Sequence, residues 1–366
     1  MKIVYFYADP PENTYASGWR CLAPAQALNR TGRHAARSLA LKEFNRQSTS
    51  AVDACTWADI IVLERYLCCK VLEVAETWKR QGKTVVVDLD NAVDLMRPDH
   101  PTYAYWMLGR KAPNGQAGEW ITPTPIVQFK EGLKLVDGMT AASNRLAGEW
   151  RQHTPTQYLA SHPDLRRYEN IAPRTKTPDT VTLGWIARDA SVKTLAQSGA
   201  LRALQNLCMA RPQVRVAILG KTRQAFSRYE LPEDRFIFVP DFTYERAPHL
   251  IAQIDIGLAP LATPYDDRRD WCDVLEFMLL RIPWIASESP AYADLRPYGW
   301  HVQNRESTWE RLLLDMVDHL DDYRYEARRE AYLFAITQGI DEHIDSLVGA
   351  YNQFSSIYLP CLIEAE

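Results

Sequence analysis

Three observations predict an α/β protein of two parallel-sheet domains in tandem, facing each other across a cleft. The chain has 366 residues, more than one hydrophobic core usually serves, so two domains of roughly 150 to 200 residues are expected. Apolar runs of strand length alternate with helical patterns, and that alternation builds parallel sheets. The pattern stops in the Pro- and charge-rich segment 161–180, SHPDLRRYENIAPRTKTPDT, and then restarts, which marks a linker. The expected units are 1–170, 178–335 and a terminal helical stretch 336–366 that returns to the first domain.

The elements follow in order. Lys2 to Ala8 reads as a buried strand, followed by a polar loop ending in Ser17-Gly18 and a helix carrying Leu22, Ala25 and Leu28. Ala58 to Tyr66 is a second apolar run, Cys68 to Arg80 is helical, and Gly82-Lys83 leads into the strand Thr84 to Leu89. An irregular segment from Arg97 to Pro125 precedes a helix through Phe129 and Leu133, a strand near Met139, a helix from Asn144 and a strand near Tyr158. After the linker come a strand at Val181–Ile186, a helix at Thr194–Ala210, and strands at Val214–Leu219 and Phe236–Val239. A helix at Arg246–Ala252 and a strand at Ile254–Leu258 follow. From Ser307 to about Tyr358 the periodicity is helical and exceeds what the second sheet needs as cover.

Composition narrows the function. With 46% hydrophobic and 24% charged residues the chain is globular rather than disordered, and a net charge of −4 argues against a partner held by bulk cationic charge. Seven cysteines, an odd number without CxxC pairs, read as reduced thiols. No run of 18 apolar residues and no signal-peptide pattern is present, so a cytoplasmic protein is expected.

The stretch from Ile251 to Tyr292, with two apolar strands flanking a charged turn and a helix that carries Glu276, is the most informative. Open α/β sheets bind ligands at such carboxyl strand ends. Arg188 and Lys193 follow the strand that holds Gly184 and precede a helix. A guanidinium fork and a compact ammonium there suit a diphosphate; a solvated loop capped by Ser191 is the alternative.

These residues resemble those of the retaining glycosyltransferases of the GT-B fold, the large family-4-like group (glycosyl transferases group 1). The resemblance rests on Arg188 and Lys193 at the family's spacing, and on the ordered series Val239-Pro240, Pro248-His249-Leu250-Ile251, Asp255 to Leu261, Tyr265-Asp266, Arg269-Asp270, Glu276 and Pro283. It implies two Rossmann-like domains, a nucleotide-diphospho-sugar donor on the second, and a terminal helix packing back on the first. It also implies that Glu276 holds the ribose hydroxyls, since one carboxylate accepts from two adjacent donors, with Arg269, Asp270, Gly184 and Gly18 around the donor. In the first domain the resemblance further implies that Ser17-Gly18-Trp19-Arg20 faces donor and acceptor and that Val86-Val87-Asp88-Leu89-Asp90-Asn91 ends a central strand at the cleft. Asp88 and Asp90 are then catalytic-side carboxylates beside Arg188 and Lys193, and Arg20 and His100 are acceptor contacts.

A metal-binding Asp88-x-Asp90 is the competing reading, but cations and helix dipoles suffice for the leaving diphosphate, so no metal and no cofactor is expected. The other histidines (His34, His153, His162, His249, His301, His319 and His343) have no ligand-like spacing. The basic stretch from Arg166-Arg167 to Arg174-Lys176 reads as a solvated linker, and the aromatics from Tyr103 to Trp120 as either a stacking surface or a hydrophobic lid. Asp270 would cap the following helix. The chain departs from the family pattern at Arg269-Asp270, Asp273, Arg281 and Val192. The implied activity is sugar transfer to an unidentified hydroxyl acceptor (a glycan, a lipid-linked or small molecule, or DNA) with retention. A DNA-modifying glycosyltransferase, a nucleotide-sugar epimerase and a catalytically degenerate binding protein are the other readings.

Overall fold

The computed structural model describes residues 1–110, 120–172, 179–188, 190–232 and 234–355. Their strands form two six-stranded sheets. The first contains β1 (Lys2–Tyr7), β2 (Ala35–Ala40), β3 (Ile60–Glu64), β4 (Thr84–Leu89), β5 (Gly138–Ala141) and β6 (Thr156–Tyr158), in the order β2-β1-β3-β4-β5-β6. The second contains β7 (Val181–Ile186), β8 (Val214–Leu219), β9 (Phe236–Val239), β10 (Ile256–Ala259), β11 (Trp284–Ser287) and β12 (Trp300–Val302), in the order β12-β11-β10-β7-β8-β9. Every pairing in both sheets is parallel.

Central strands such as IIVLE (β3) and TVVVDL (β4) are apolar on both faces because helices cover both faces of a parallel sheet. Alternate residues serve different cores: Ile3 and Tyr5 of β1 join one hydrophobic cluster, Val4 and Phe6 another. The first of these clusters runs through both domains, from Ile3 and Val86 to Phe277 and Trp284. A third fills the far side of the second sheet.

Two strands carry little sequence signal. β2, AARSLA, is an edge strand with one buried residue, and β12 has three residues. The single helix expected at Thr194–Ala210 is two, Val192–Gln197 and Ala200–Ala210, divided at Gly199 with φ 84°. A Cβ on Gly199 would lie 2.5 Å from the Glu306 amide nitrogen, so the break is where another backbone comes close. The terminal helical stretch resolves into Glu306–Asp318, Leu320–Ala327, Glu330–Ile336 and Ile344–Ser355. The last of these lies on the first sheet: Tyr351 meets Tyr5 edge-on at 6.2 Å, and Phe354 covers Gly138, where a Cβ would come within 2.2 Å of the ring. Cys361 lies outside the described residues, as do Arg174 and Lys176 of the linker and 111–119 of the aromatic segment. No helix among the described residues is long and apolar enough to cross a membrane.

Strand order reverses between β1 and β3 in one sheet and between β7 and β10 in the other. Such switch points leave a crevice beyond the carboxyl ends of the strands.

Candidate functional site

A cavity of about 430 Å³ opens between the two sheets. Asp9 beyond β1, Arg65 beyond β3, Asp90 beyond β4 and the His100–Thr102 segment form its first-domain wall. Arg188 beyond β7, Gly220–Thr222 beyond β8 and Pro240–Phe242 beyond β9 form the other. Arg65 and Arg188 both have left-handed backbone, with φ of 61° and 39°, a conformation uncommon outside glycine and often held in place at functional sites.

On the first-domain side one guanidinium gathers three carboxylates. Arg65 Nη2 donates to Asp9 Oδ1 at 2.7 Å and Glu64 Oε1 at 2.6 Å, and its Nε lies 3.4 Å from Asp90 Oδ1. Glu64 is fully buried and also accepts from the Ala8 amide and the Ser17 hydroxyl. Burial pushes its carboxyl up to about 7, against the pull of Arg65 and with the push of Asp9 and Asp90. The sequence reading missed Asp9, Glu64 and Arg65; the available signal was a charged pair, Glu64-Arg65, ending an apolar run next to the strand-order switch.

Asp88 and Asp90 part company. Asp88 still lies on β4, its carboxylate held by Arg20 Nε and Nη2 at 2.9 and 2.6 Å and by the Thr140 hydroxyl at 2.6 Å. Arg20 donates further to the Leu159 carbonyl and to Ser161. Both are buried and neither lines the cavity, so the acceptor contact expected of Arg20 is replaced by a strut beneath the cleft. Asp90, past the strand end, and His100 do line it. His100 Nδ1 accepts from the Thr102 amide at 3.2 Å, and the ring packs on Tyr265 at 5.1 Å.

On the second-domain side Arg188 is paired with two acids, Nη2 to Asp270 Oδ1 at 3.0 Å and Nε to Asp273 Oδ1 at 3.1 Å. Arg269 takes the other Asp273 oxygen at 3.2 Å. Asp270 also accepts from Ser161 and Cys272. Burial raises its carboxyl, but Arg188 and these hydrogen bonds outweigh burial and leave it below the usual range. Asp270 therefore does not cap the next helix, Cys272–Leu279, whose N-cap is Trp271 without a side-chain bond. Lys221, not anticipated from the sequence, lines the cavity and donates from Nζ to the Arg188 carbonyl at 2.6 Å. Lys193 stands apart, 3.8 Å from Asp99, which also accepts from Ser191. Burial raises Asp99, and the Ser191 bond, its own amide, Lys193 and Arg97 more than reverse that.

Gly184 and Gly18 are packing glycines. A Cβ on Gly184 would sit 2.1 Å from Ile254 Cδ1, and one on Gly18 would sit 2.1 Å from Tyr244 Cγ of the other domain. Glu276 is fully buried, with Tyr168 Oη donating to Oε2 at 2.7 Å and Arg167 Nη2 to Oε1 at 3.1 Å. Arg167 stacks on Tyr244, its Cζ 3.4 Å from the ring centroid. Burial raises the Glu276 carboxyl while Arg167 and Tyr168 pull it down. The linker turn Leu165–Tyr168 thus occupies the carboxylate expected to hold a ribose, while Arg166 stays half exposed, paired with Asp341 at 3.2 Å. Of the aromatic segment, Trp106 is buried against Tyr66 and Phe129 in the core of the first domain. Among the described residues no group of three or more His, Cys, Asp or Glu side chains is arranged to hold a metal ion.

No family model matches this chain, and no curated protein matches it. Solved structures do. A sucrose-phosphate synthase from Thermosynechococcus elongatus superposes with a TM-score of 0.67 at 12% identity, over 98% of this chain and 100% of that one. HepE from Anabaena in complex with UDP-glucose gives 0.63 at 14%, over 97% and 100%. An alpha-glucosyltransferase in complex with UDP and a 13-mer DNA containing a HMU base gives 0.60 at 13%, over 97% and 99%. At such identities the likeness is one of architecture, and with two parallel sheets facing across a cleft over the whole length, the chain has the GT-B fold.

Proposed function

We propose that this protein transfers a sugar from a nucleotide-diphospho-sugar to a hydroxyl acceptor, with retention and without a metal. The observation that carries the reading is the cavity at both strand-order switch points, with Arg188 and Lys221 on one wall and Asp90, His100 and Arg65 on the other. The complexes of UDP and UDP-glucose among proteins of the same fold support a nucleotide-sugar as donor.

In this reading the diphosphate lies against Arg188 and Lys221, while Arg269 acts through Asp273, which it shares with Arg188, and Lys193 stays with Asp99. As the bond from sugar C1 to the diphosphate oxygen breaks, the acceptor oxygen bonds to C1 on the same face, and the acceptor's proton passes to the departing phosphate. Fixed cations that meet the developing charge supply most of the rate, and positioning supplies much of the rest. Asp90 and His100 orient the acceptor hydroxyl.

Calorimetric titration with UDP-glucose in excess chelator tests the proposal. Binding to the wild type that weakens at least tenfold in Arg188→Ala and in Lys221→Ala is expected, and no binding by the wild type would sink the reading. Glu276 meets a ribose only after the Leu165–Tyr168 turn withdraws, so its assignment has a separate test. Glu276→Gln should weaken UDP binding, and an unchanged affinity would leave Glu276 as the anchor of the turn alone.

A further inference from the structure

Three charged side chains stand in a row along the second-domain wall of the cleft. Ile186, Leu219 and Val239, the last residues of β7, β8 and β9, are register partners across three neighbouring strands. Arg188, Lys221 and Asp241 each follow two residues later, and all three line the cavity. The diphosphate takes the first two and leaves the third without a task. We infer that Asp241 reads the nucleobase and that the base is guanine, which makes the donor a guanosine-diphospho-sugar; this assignment deepens the glycosyl-transfer reading above and rests on it.

The row sets the distance. Neighbouring strands lie about 4.8 Å apart, so Asp241 stands roughly 10 Å from the Arg188 end, the reach of a nucleotide from its phosphates to its base. At physiological salt the Debye length is about 8 Å, so over that separation the carboxylate and the diphosphate are largely screened from each other. β9 is the edge strand of its sheet, which puts the base at the outer end of the cleft. Apolar surface waits for it there: Pro240 and Ala225 are exposed in the lining, and Phe242 is buried against Tyr15 of the first domain with ring centroids 4.9 Å apart.

The uncommitted polar groups choose the base. Asp241 is exposed and has no hydrogen-bond or ion-pair partner among the described residues. An ionised carboxylate only accepts hydrogen bonds. Guanine presents two donors side by side, N1–H and the 2-amino group, to match its two oxygens. Uracil offers one donor, N3–H, between two carbonyl oxygens that repel a carboxylate, and adenine and cytosine each set a ring-nitrogen acceptor beside the amino group. From the first domain Asn13, two residues before Tyr15, lines the same cavity, and its carboxamide has no partner among the described residues. Its N–H can donate to guanine O6, an acceptor. Charge-assisted, paired hydrogen bonds of this kind are strong, and a site built on them discriminates against a base that lacks the donors.

The test is calorimetric titration of the full chain with guanosine, inosine, uridine and adenosine diphosphates. Guanosine diphosphate should bind at least about tenfold more tightly than the uridine or adenosine compound, with inosine diphosphate, which keeps N1–H and lacks the 2-amino group, in between. Asp241→Ala should bring guanosine diphosphate down to the level of uridine diphosphate. Asp241→Asn sets one acceptor beside one donor and should prefer xanthosine diphosphate, whose 2-position is a carbonyl, to guanosine diphosphate. A merely structural role for Asp241 would not exchange one base for another, and its exposure means that both variants should melt with the wild type. Equal affinity for guanosine and uridine diphosphates, or a guanine preference that survives Asp241→Ala, would overturn the assignment and leave the donor reading standing. No binding by any of the four would overturn both.

Discussion

Arg188 brings to the cleft a positive charge that two carboxylates already claim. A diphosphate arriving there must share the guanidinium with Asp270 and Asp273, and like charges at that separation repel. Asp273→Asn keeps the shape and removes one competitor, so UDP-glucose affinity should rise several-fold by calorimetry; a fall would mean that Asp273 orients Arg188 more than it neutralises it. Arg20 is the opposite case, a cation fully committed to the fold. Arg20→Ala leaves Asp88 buried with only Thr140, and breaking a buried pair costs about 3 to 5 kcal/mol, to be read as a lower urea midpoint. Glu64 makes a prediction about pH. Its carboxyl is raised from an ordinary 4.5 to about 7, so the folded chain holds this proton more tightly than the unfolded chain does. The stability it confers is complete below about 4.5 and is lost as pH rises toward 7. Glu64→Gln should remove that downward slope from stability measured across the window. His162, lowered to about 4 by burial and by His343, acts with the opposite sign between 6.5 and 4, so the comparison has to be made variant against wild type.

Elements differ in how much of themselves they wrote into the sequence. β3, β4, β7 and β8 were legible because a strand buried on both faces has to be a short apolar run. β2 and β12 were not, because an edge strand is only half covered and three residues show no period. The helix carrying Glu276 was also legible, but what Glu276 touches was not: Arg167 and Tyr168 come from a segment whose composition reads as a linker, and their role depends on a tertiary contact. Likewise Asp88 and Asp90 look equivalent in sequence, yet one residue of strand length separates a side chain under the sheet from one at its mouth. The first helical segment, Tyr15–Ser17 continuing into Gly18–Leu22, joins the two domains through Gly18 and Tyr244. Gly18→Ala should lower the melting temperature by several degrees, since the added methyl group cannot coexist with the ring. Adding Tyr244→Ala should recover part of the loss in a double-mutant cycle; strict additivity would show that the contact does not set the fit of the domains.

At the scale of the molecule the domains are bound as one body. One hydrophobic cluster passes through both, and Arg268 with Glu149 at 2.5 Å, Asp99 with Ser191 and Lys193, and Arg20 and Asp270 with Ser161 tie the margins. A shared core couples unfolding, so calorimetry should show one transition for both domains, and two resolved transitions would contradict the coupling. The return of the terminal helix gives this coupling a direction in time. Gly138 leaves the ribosome roughly 200 residues before Phe354, the side chain that covers it; at about 5–20 residues per second that is on the order of ten to forty seconds. Throughout that interval the nascent first domain shows an uncovered patch of its sheet around Gly138 and β4, beside the part that Ala23–Arg30 already covers, and a premature stop anywhere before the last helix leaves that patch open for chaperones or proteases to find.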